Sequence, residues 1–150
     1  MVVAVVNAHT KLKKCVTSVM FGSALLLGKI SKDVRGIESI YEGFHPPETM
    51  KLNYPFLTYR INWYPDVPTF FLTGTFVIDV WDLVAGNNSE RVEDICTVLA
   101  RLLDDTTIVD GWAVVRCKLQ SDEWVQEEDA SRIHRQLVFR MRTIDVSRVV

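Results

Sequence analysis

The sequence lacks the features that mark several large classes of protein. Its three cysteines, Cys15, Cys96 and Cys117, include no Cys-x-x-Cys pair, so we expect neither a disulfide framework nor a paired-cysteine metal site. The three histidines are far apart in the chain, without the short spacings that metal ligands usually show. There is no Gly-x-Ser-x-Gly motif and no glycine-rich phosphate loop. The sequence therefore shows none of the commonest motifs for metal binding, nucleophilic catalysis or nucleotide binding.

Strong charge and long apolar runs are missing as well. The formal net charge is −2, without the basic excess of a dedicated nucleic-acid-binding protein. The apolar run Cys15–Gly28 is shorter than the ~20 residues that a membrane span needs. Lys-Ile-Ser-Lys-Asp follows it, which is not a signal-peptide cleavage pattern. We therefore expect a protein without a membrane segment, in a reducing compartment.

The clearest pattern that is present runs from Thr73 to Asp105. Apolar residues alternate along Phe76–Asp82, which predicts a strand with one apolar face. A short polar loop follows and contains Asn87 and Asn88, two residues that can cap a helix. The next segment places apolar residues at helical spacing, which predicts a helix at 90–104 that packs on the sheet. Its stripe consists of Val92, Ile95, Cys96, Leu99, Leu102 and Leu103.

Other segments predict further strands around this unit. We expect strands at Tyr54–Tyr64, Trp112–Leu119 and Arg132–Val146, with a short one possible within Gly36–Gly43, and a helix over residues 8–34. The prolines beside His45 predict a loop, and Gln120–Ser131 predicts a long hairpin connection. The expected fold is α+β: one two-layer domain over residues 1–150 with a mostly antiparallel sheet of four to five strands. It comprises an N-terminal helical segment at 1–34 and a sheet at 36–146.

Catalytic candidates are few. Asp79 and Asp82 lie beside aromatic residues, but positions three apart on one strand point to opposite faces. We expect Asp79 to pair with a cation on a neighbouring strand and Asp82 to open the turn. The sequence therefore predicts no enzyme, no cofactor and no metal site.

Opposite charges are grouped near the C-terminus. The acidic connection and the basic last strand are expected to complement each other between strands or between subunits, although a nucleic-acid patch is an alternative. As a candidate subunit interface we take eight charged residues: Glu123, Glu127, Glu128, Asp129, Arg132, Arg135, Arg140 and Arg142.

Several of these segments resemble one family. The N-terminal helix, Tyr54-Pro55-Phe56-Leu57-Thr58-Tyr59, Phe76–Asp82, the helix at 90–104 and the strand Arg132–Asp145 with His134-Arg135 are similar to tail-completion (tail-terminator) proteins of long-tailed bacteriophages. The resemblance covers most of residues 30–146. It brings no catalytic residues with it.

The resemblance implies a structural virion protein of the neck. Such a protein forms a ring, typically hexameric, that stops tail-tube growth and joins tail to head. Its partners would be the tail-tube protein and head-completion or adaptor proteins, with DNA only as passing cargo. It would assemble in the host cytoplasm and end in the virion. Two alternatives are a head–tail adaptor or tail-tube subunit, and a small enzyme of unknown chemistry.

Overall fold

The computed structural model describes residues 2–43, 51–66, 71–111 and 113–144. Helices and strands alternate irregularly along the chain. The helices in this described part are α1 (Val2–Phe21), α2 (Ala24–Leu27) and α3 (Asn88–Leu103). The strands are β1 (Ile40–Glu42), β2 (Phe56–Asp66), β3 (Phe71–Leu83), β4 (Thr106–Asp110), β5 (Ala113–Val125) and β6 (Arg132–Ile144). The predicted loop around His45 lies outside the described residues.

The strands form one mixed sheet in the order β1-β2-β3-β6-β5-β4. β1 is parallel to β2, and every other neighbouring pair is antiparallel. The expected α+β class is confirmed. The expected count of four to five strands is wrong, because the described residues form six. β4 was missed because its five residues sit directly between the end of a helix and the turn at Gly111.

The N-terminal helix differs from the helix predicted over residues 8–34. α1 begins at Val2 and ends at Phe21, because Gly22 and Ser23 follow it. The Ser23 hydroxyl then accepts a hydrogen bond from the Leu26 backbone N–H and caps the short helix α2. The apolar spacing in the sequence does not reveal this break, because Leu26 and Ile30 beyond it are also buried in the core.

The sheet curls around α1. Lys11 Nζ lies 2.9 Å from Asp110 Oδ2 on β4, at one edge of the sheet. Lys13 Nζ lies 3.1 Å from Glu42 Oε1 on β1, at the opposite edge. A single helix can contact both edge strands only if the sheet bends around it.

α3 packs as the sequence predicts. Its stripe residues Val92, Ile95, Cys96, Leu99 and Leu103 are buried in the core, and Leu102 packs against that core. The exposed residues of α3 lie on the opposite side of the helix. Asn87 occupies the N-cap position, although its side chain makes no capping hydrogen bond. The helix ends at Leu103, one residue before the predicted end, and Asp104 is its C-cap.

The two faces of the sheet have different compositions. The face that packs on the helices, here called the helix face, is apolar; it includes Leu57, Tyr59, Phe76, Ile78, Val80, Val115, Cys117, Leu137, Phe139 and Met141. The opposite face, here called the open face, carries most of the polar strand residues; it includes Phe56, Thr58, Arg60, Thr73, Thr75, Val77, Asp79, Trp81, His134, Gln136, Val138, Arg140 and Arg142.

Candidate interaction surface

A buried cluster of polar residues lies at one end of the open face, centred on Asp79. The Asp79 carboxylate is 1% exposed. Arg60 of β2 donates to it over 2.9 Å, and Gln136 of β6 donates to it over the same distance. The expectation that Asp79 pairs with a cation on a neighbouring strand is confirmed.

His134 adds a contact that the sequence did not reveal. Its Nε2 lies 2.6 Å from Asp79 Oδ1, and its Nδ1 lies 2.6 Å from Glu127 Oε1. A ring with both nitrogens hydrogen-bonded to carboxylates requires a proton on each nitrogen, so the imidazolium form satisfies both contacts. The cluster therefore connects β3, β6 and the β5–β6 connection.

Aromatic rings pack along the same cluster. The Trp81 ring stacks on His134 with centroids 3.8 Å apart and on Phe56 with centroids 5.9 Å apart. Trp81 Nε1 donates to the Thr58 hydroxyl over 3.0 Å, so its buried N–H group is satisfied. The register of β2, β3 and β6 places these residues side by side.

The environment of Asp79 shifts its acidity. Burial alone raises the pKa of a carboxyl group. Here the hydrogen bonds from His134 and Gln136, with the positive charges of His134 and Arg60, outweigh that effect. The pKa of Asp79 lies below its ordinary value, so the carboxylate stays ionised at neutral pH.

This arrangement stabilises structure and leaves no group available for acid–base chemistry. Both nitrogens of His134 are occupied, and proton transfer to a substrate would require one of them to be released. Asp82 lies on the other side of β3, where it accepts two 2.7 Å hydrogen bonds from Arg91 of α3. Asp79 and Asp82 therefore do not converge, as their spacing predicted.

The cysteines are equally unsuited to nucleophilic chemistry. All three are free and buried. Burial raises the pKa of the Cys96 and Cys117 thiols to about 12, so their thiolate forms are rare at neutral pH. In the described part of the chain, no group of three His, Cys, Asp or Glu side chains could hold a metal ion. Across the same residues, no helix is both long and apolar enough to cross a membrane.

The acidic members of the predicted interface lie at and near the β5–β6 connection. Glu123 and Glu128 are exposed, and neither contacts a cation among the described residues. Glu127 is held by His134, so it is not a free surface charge. Asp129 accepts hydrogen bonds from Ser131 and lies 3.7 Å from Arg132.

The connection is shorter than the predicted Gln120–Ser131. β5 continues to Val125, with an irregularity in register between Leu119 and Ser121. β6 is flanked by β3 as far as Arg132, so this hairpin is part of the sheet. Residues 120–125 are polar, so the sequence pattern did not predict that the strand continues through them. On the side of β5 away from β6, β4 pairs only with Ala113–Cys117.

The basic members of the predicted interface other than Arg132 separate into two groups. Arg135 faces the helix side, where its Nε lies 2.5 Å from Asp122 and its guanidinium lies 5.0 Å from the Trp124 ring centroid. Arg140 and Arg142 lie on the open face, far along β6 from the Asp79 cluster. The strand register places His134 on this same face.

Shallow grooves flank these open-face arginines. One, of about 210 Å³, lies between Phe71, Val114, Arg116, Arg142 and Thr143. Another, of about 240 Å³, is lined by Tyr64, Thr73, Gly74, Thr75, Gln120, Val138 and Arg140. Both grooves are open to solvent, whereas small-molecule pockets typically enclose most of their ligand.

Comparison with known proteins identifies the fold. No protein family and no curated protein matches the chain. Twenty-six solved chains are similar to it. One belongs to a structure described as "Virion of native gene transfer agent (GTA) particle"; it shares 18% identity, with a TM-score of 0.62 over 85% of this chain and 90% of that chain. At this identity the similarity establishes a shared fold.

Proposed function

We propose that this protein is a structural subunit of a phage-like virion. The observation that carries the proposal is the fold, which nearly the whole chain shares with nearly the whole of a chain from a gene transfer agent virion. The sequence resemblance to tail-completion proteins, described above from its own residues, points to the same kind of particle. In this role the protein is assembled in the producing cell and functions in the virion, without enzymatic activity.

Within the particle, we assign it to a homo-oligomeric ring that terminates the tail tube and joins the tail to the head. A ring requires a surface on each subunit that fits a different surface on the next one. The open face offers such a pair, because carboxylates and cations lie at opposite ends of the β5–β6 hairpin. The partners of the ring would be the tail-tube protein and a head-completion or adaptor protein, with DNA passing through the lumen.

The geometry of the Asp79 cluster argues against the enzyme alternative. Its histidine is 7% exposed and bridges two carboxylates. A catalytic histidine needs at least one nitrogen that can reach a substrate. The cluster instead joins three strands and the β5–β6 connection, which is a structural role.

Deletion of the gene in a producing strain tests the position in the particle. Loss of a terminator leaves tail tubes of uncontrolled length, whereas loss of a head–tail adaptor leaves heads and tails of normal length unjoined. Loss of the tube subunit leaves no tails at all. Electron microscopy of the lysates distinguishes these outcomes, and normal particles in the deletion strain would contradict the proposal. Native mass spectrometry of the purified protein measures the mass of the assembly and therefore the number of subunits in the ring.

A further inference from the structure

Like charges stand directly opposite each other on β5 and β6. The register places Arg116 opposite Arg142 and Lys118 opposite Arg140, all on the open face. Side chains at opposite positions of an antiparallel pair are about 5 Å apart at Cβ, and like charges there destabilise the sheet. We call these four residues the basic block. Two such pairs follow each other along these strands.

The chain neutralises only part of the basic block. Arg116 forms an ion pair with Asp105 and donates to the Thr107 hydroxyl. The Arg142 guanidinium lies 3.9 Å from the centroid of the Phe71 ring. Lys118 and Arg140 are exposed and have no carboxylate partner among the described residues. Two positive charges therefore face solvent at this end of the sheet.

The opposite end of the same face is acidic. Beyond the irregularity at Gln120, β5 presents Glu123 on the open face, opposite Gln136. Glu128 follows in the β5–β6 connection, and both carboxylates are exposed. We call these two residues the acidic end. Lys118 and Glu123 are five residues apart, or roughly 16 Å along an extended strand. That exceeds the Debye length of about 8 Å at physiological salt, so the two ends neutralise each other poorly within one subunit.

We propose that the basic block of one subunit holds the acidic end of a neighbouring copy. This inference rests on the proposed function and assigns its subunit contact. Two exposed carboxylates match two exposed cations, and every copy of the chain carries both pairs. The contact is directional, so repetition closes into a ring when the rotation between subunits is fixed. The contact also accounts for the Lys118–Arg140 pair, because carboxylates from the neighbouring copy would reduce the repulsion between these two cations.

A nucleic acid fits this face less well. A phosphate backbone that crossed the basic block and continued along the strands would meet Glu123 and Glu128. A partner whose charges alternate in the opposite order avoids that repulsion. The basic block does not extend along the hairpin, which favours a short acidic segment over a polyanion.

Charge reversal on each side tests the contact. Lys118→Glu/Arg140→Glu places carboxylates at the two exposed, unmatched positions of the basic block, and Glu123→Lys/Glu128→Lys makes the acidic end basic. We expect each variant alone to raise the dissociation constant of the assembly at least about tenfold, because like charges meet across the contact. An equimolar mixture of the two variants should assemble again, because each then offers what the other lacks. Native mass spectrometry reads out the masses and shows whether the two variants alternate.

Two controls keep the result interpretable. Glu90→Lys/Asp94→Lys makes the same charge change on α3, away from the open face. It also removes the exposed Lys29–Asp94 ion pair, but it should assemble like the wild type. Circular dichroism and denaturation midpoints verify that each variant is folded. Titration with duplex DNA, of the wild type and of Lys118→Glu/Arg140→Glu, tests whether the basic block binds nucleic acid instead.

The outcomes separate this inference from the proposed function. If the wild type forms rings and both reversal variants also do, or if the folded variants fail to assemble when mixed, the inference is wrong and the ring remains. DNA binding lost with the basic block, with assembly unchanged, overturns it as well. A two-fold dimer as the final assembly, or a wild type that is monomeric alone and in its particle, contradicts the ring itself.

Discussion

Thr75 and Phe76 are neighbours on β3, but they contribute to two surfaces that are held together differently. Phe76 lies opposite Phe139 on the helix face, and the two rings pack edge to face with centroids 6.2 Å apart. Thr75 lies opposite Arg140 on the open face, the side of the sheet that the described helices do not pack on. The helix face is stabilised mainly by burial of apolar area, which is insensitive to salt and pH. The open face depends on ionised groups, so its contribution depends on both.

The two ends of the open face also differ in how their charges are compensated. Within the Asp79 cluster, the carboxylates of Asp79 and Glu127 are each matched by a cation or a hydrogen-bond donor of the same chain. At the end with Arg140, like charges stand at opposite positions of β5 and β6, and two of the cations are exposed. The buried cluster stabilises the subunit, whereas the exposed cations are suited to contact with another molecule. The predictions below separate these contributions.

The largest effect is expected on the helix face. Leu99→Ala should lower the free energy of unfolding by about 2–5 kcal/mol, because Leu99 is fully buried between α3 and the sheet and its loss leaves a cavity. Chemical denaturation measures the change. Arg101→Ala, at an exposed position of α3, is the matched control and should change stability by about 0.5 kcal/mol or less. Equal effects for the two substitutions would contradict the packing described here.

The buried polar cluster should come next. Asp79→Asn keeps the shape of the side chain but removes the charge that Arg60 and His134 face. We expect a loss of about 1–3 kcal/mol, because buried hydrogen-bond partners are left poorly satisfied. The same substitution at exposed Asp94 serves as the control. An Asp79→Asn protein as stable as the wild type at pH 7 would show that the cluster adds nothing to the fold.

The contribution of Asp79 should also depend on pH in a definite direction. Its pKa is lower in the folded chain than in the unfolded chain, where it is about 3.9. The stabilisation is therefore present above about pH 4 and is lost as the pH falls through the folded value. Arg60 and His134 face Asp79, and Glu127 faces His134; all three are unchanged in Asp79→Asn. The stability gap between wild type and Asp79→Asn should narrow below pH 4, and a gap that widens there would contradict this assignment.

Sequence reasoning predicted the helix face better than the open face. The α3 stripe and the apolar residues of β2, β3, β5 and β6 follow periods of 3.6 and 2, which are local signals. The open face depends on register between strands that are distant in the chain. His134 meets Asp79 across 55 residues, and Arg142 meets Arg116 only because the β5–β6 register places them opposite each other. Spacing within one strand cannot specify which residue stands across from it.

The smallest effect is the most informative about the open face, because it should have opposite signs for folding and for assembly. Lys118→Glu replaces a like-charge pair with Arg140 by an opposite-charge pair. In the Glu123→Lys/Glu128→Lys background, where subunits are expected to stay separate, it should raise the free energy of unfolding by about 0.2–1 kcal/mol. Lys118→Gln, which removes the repulsion without adding attraction, should give a smaller gain. High salt should reduce both gains, since exposed charges are screened. A loss of stability on Lys118→Glu would mean that the basic block is already compensated within the subunit, and the need for an outside partner would disappear with it.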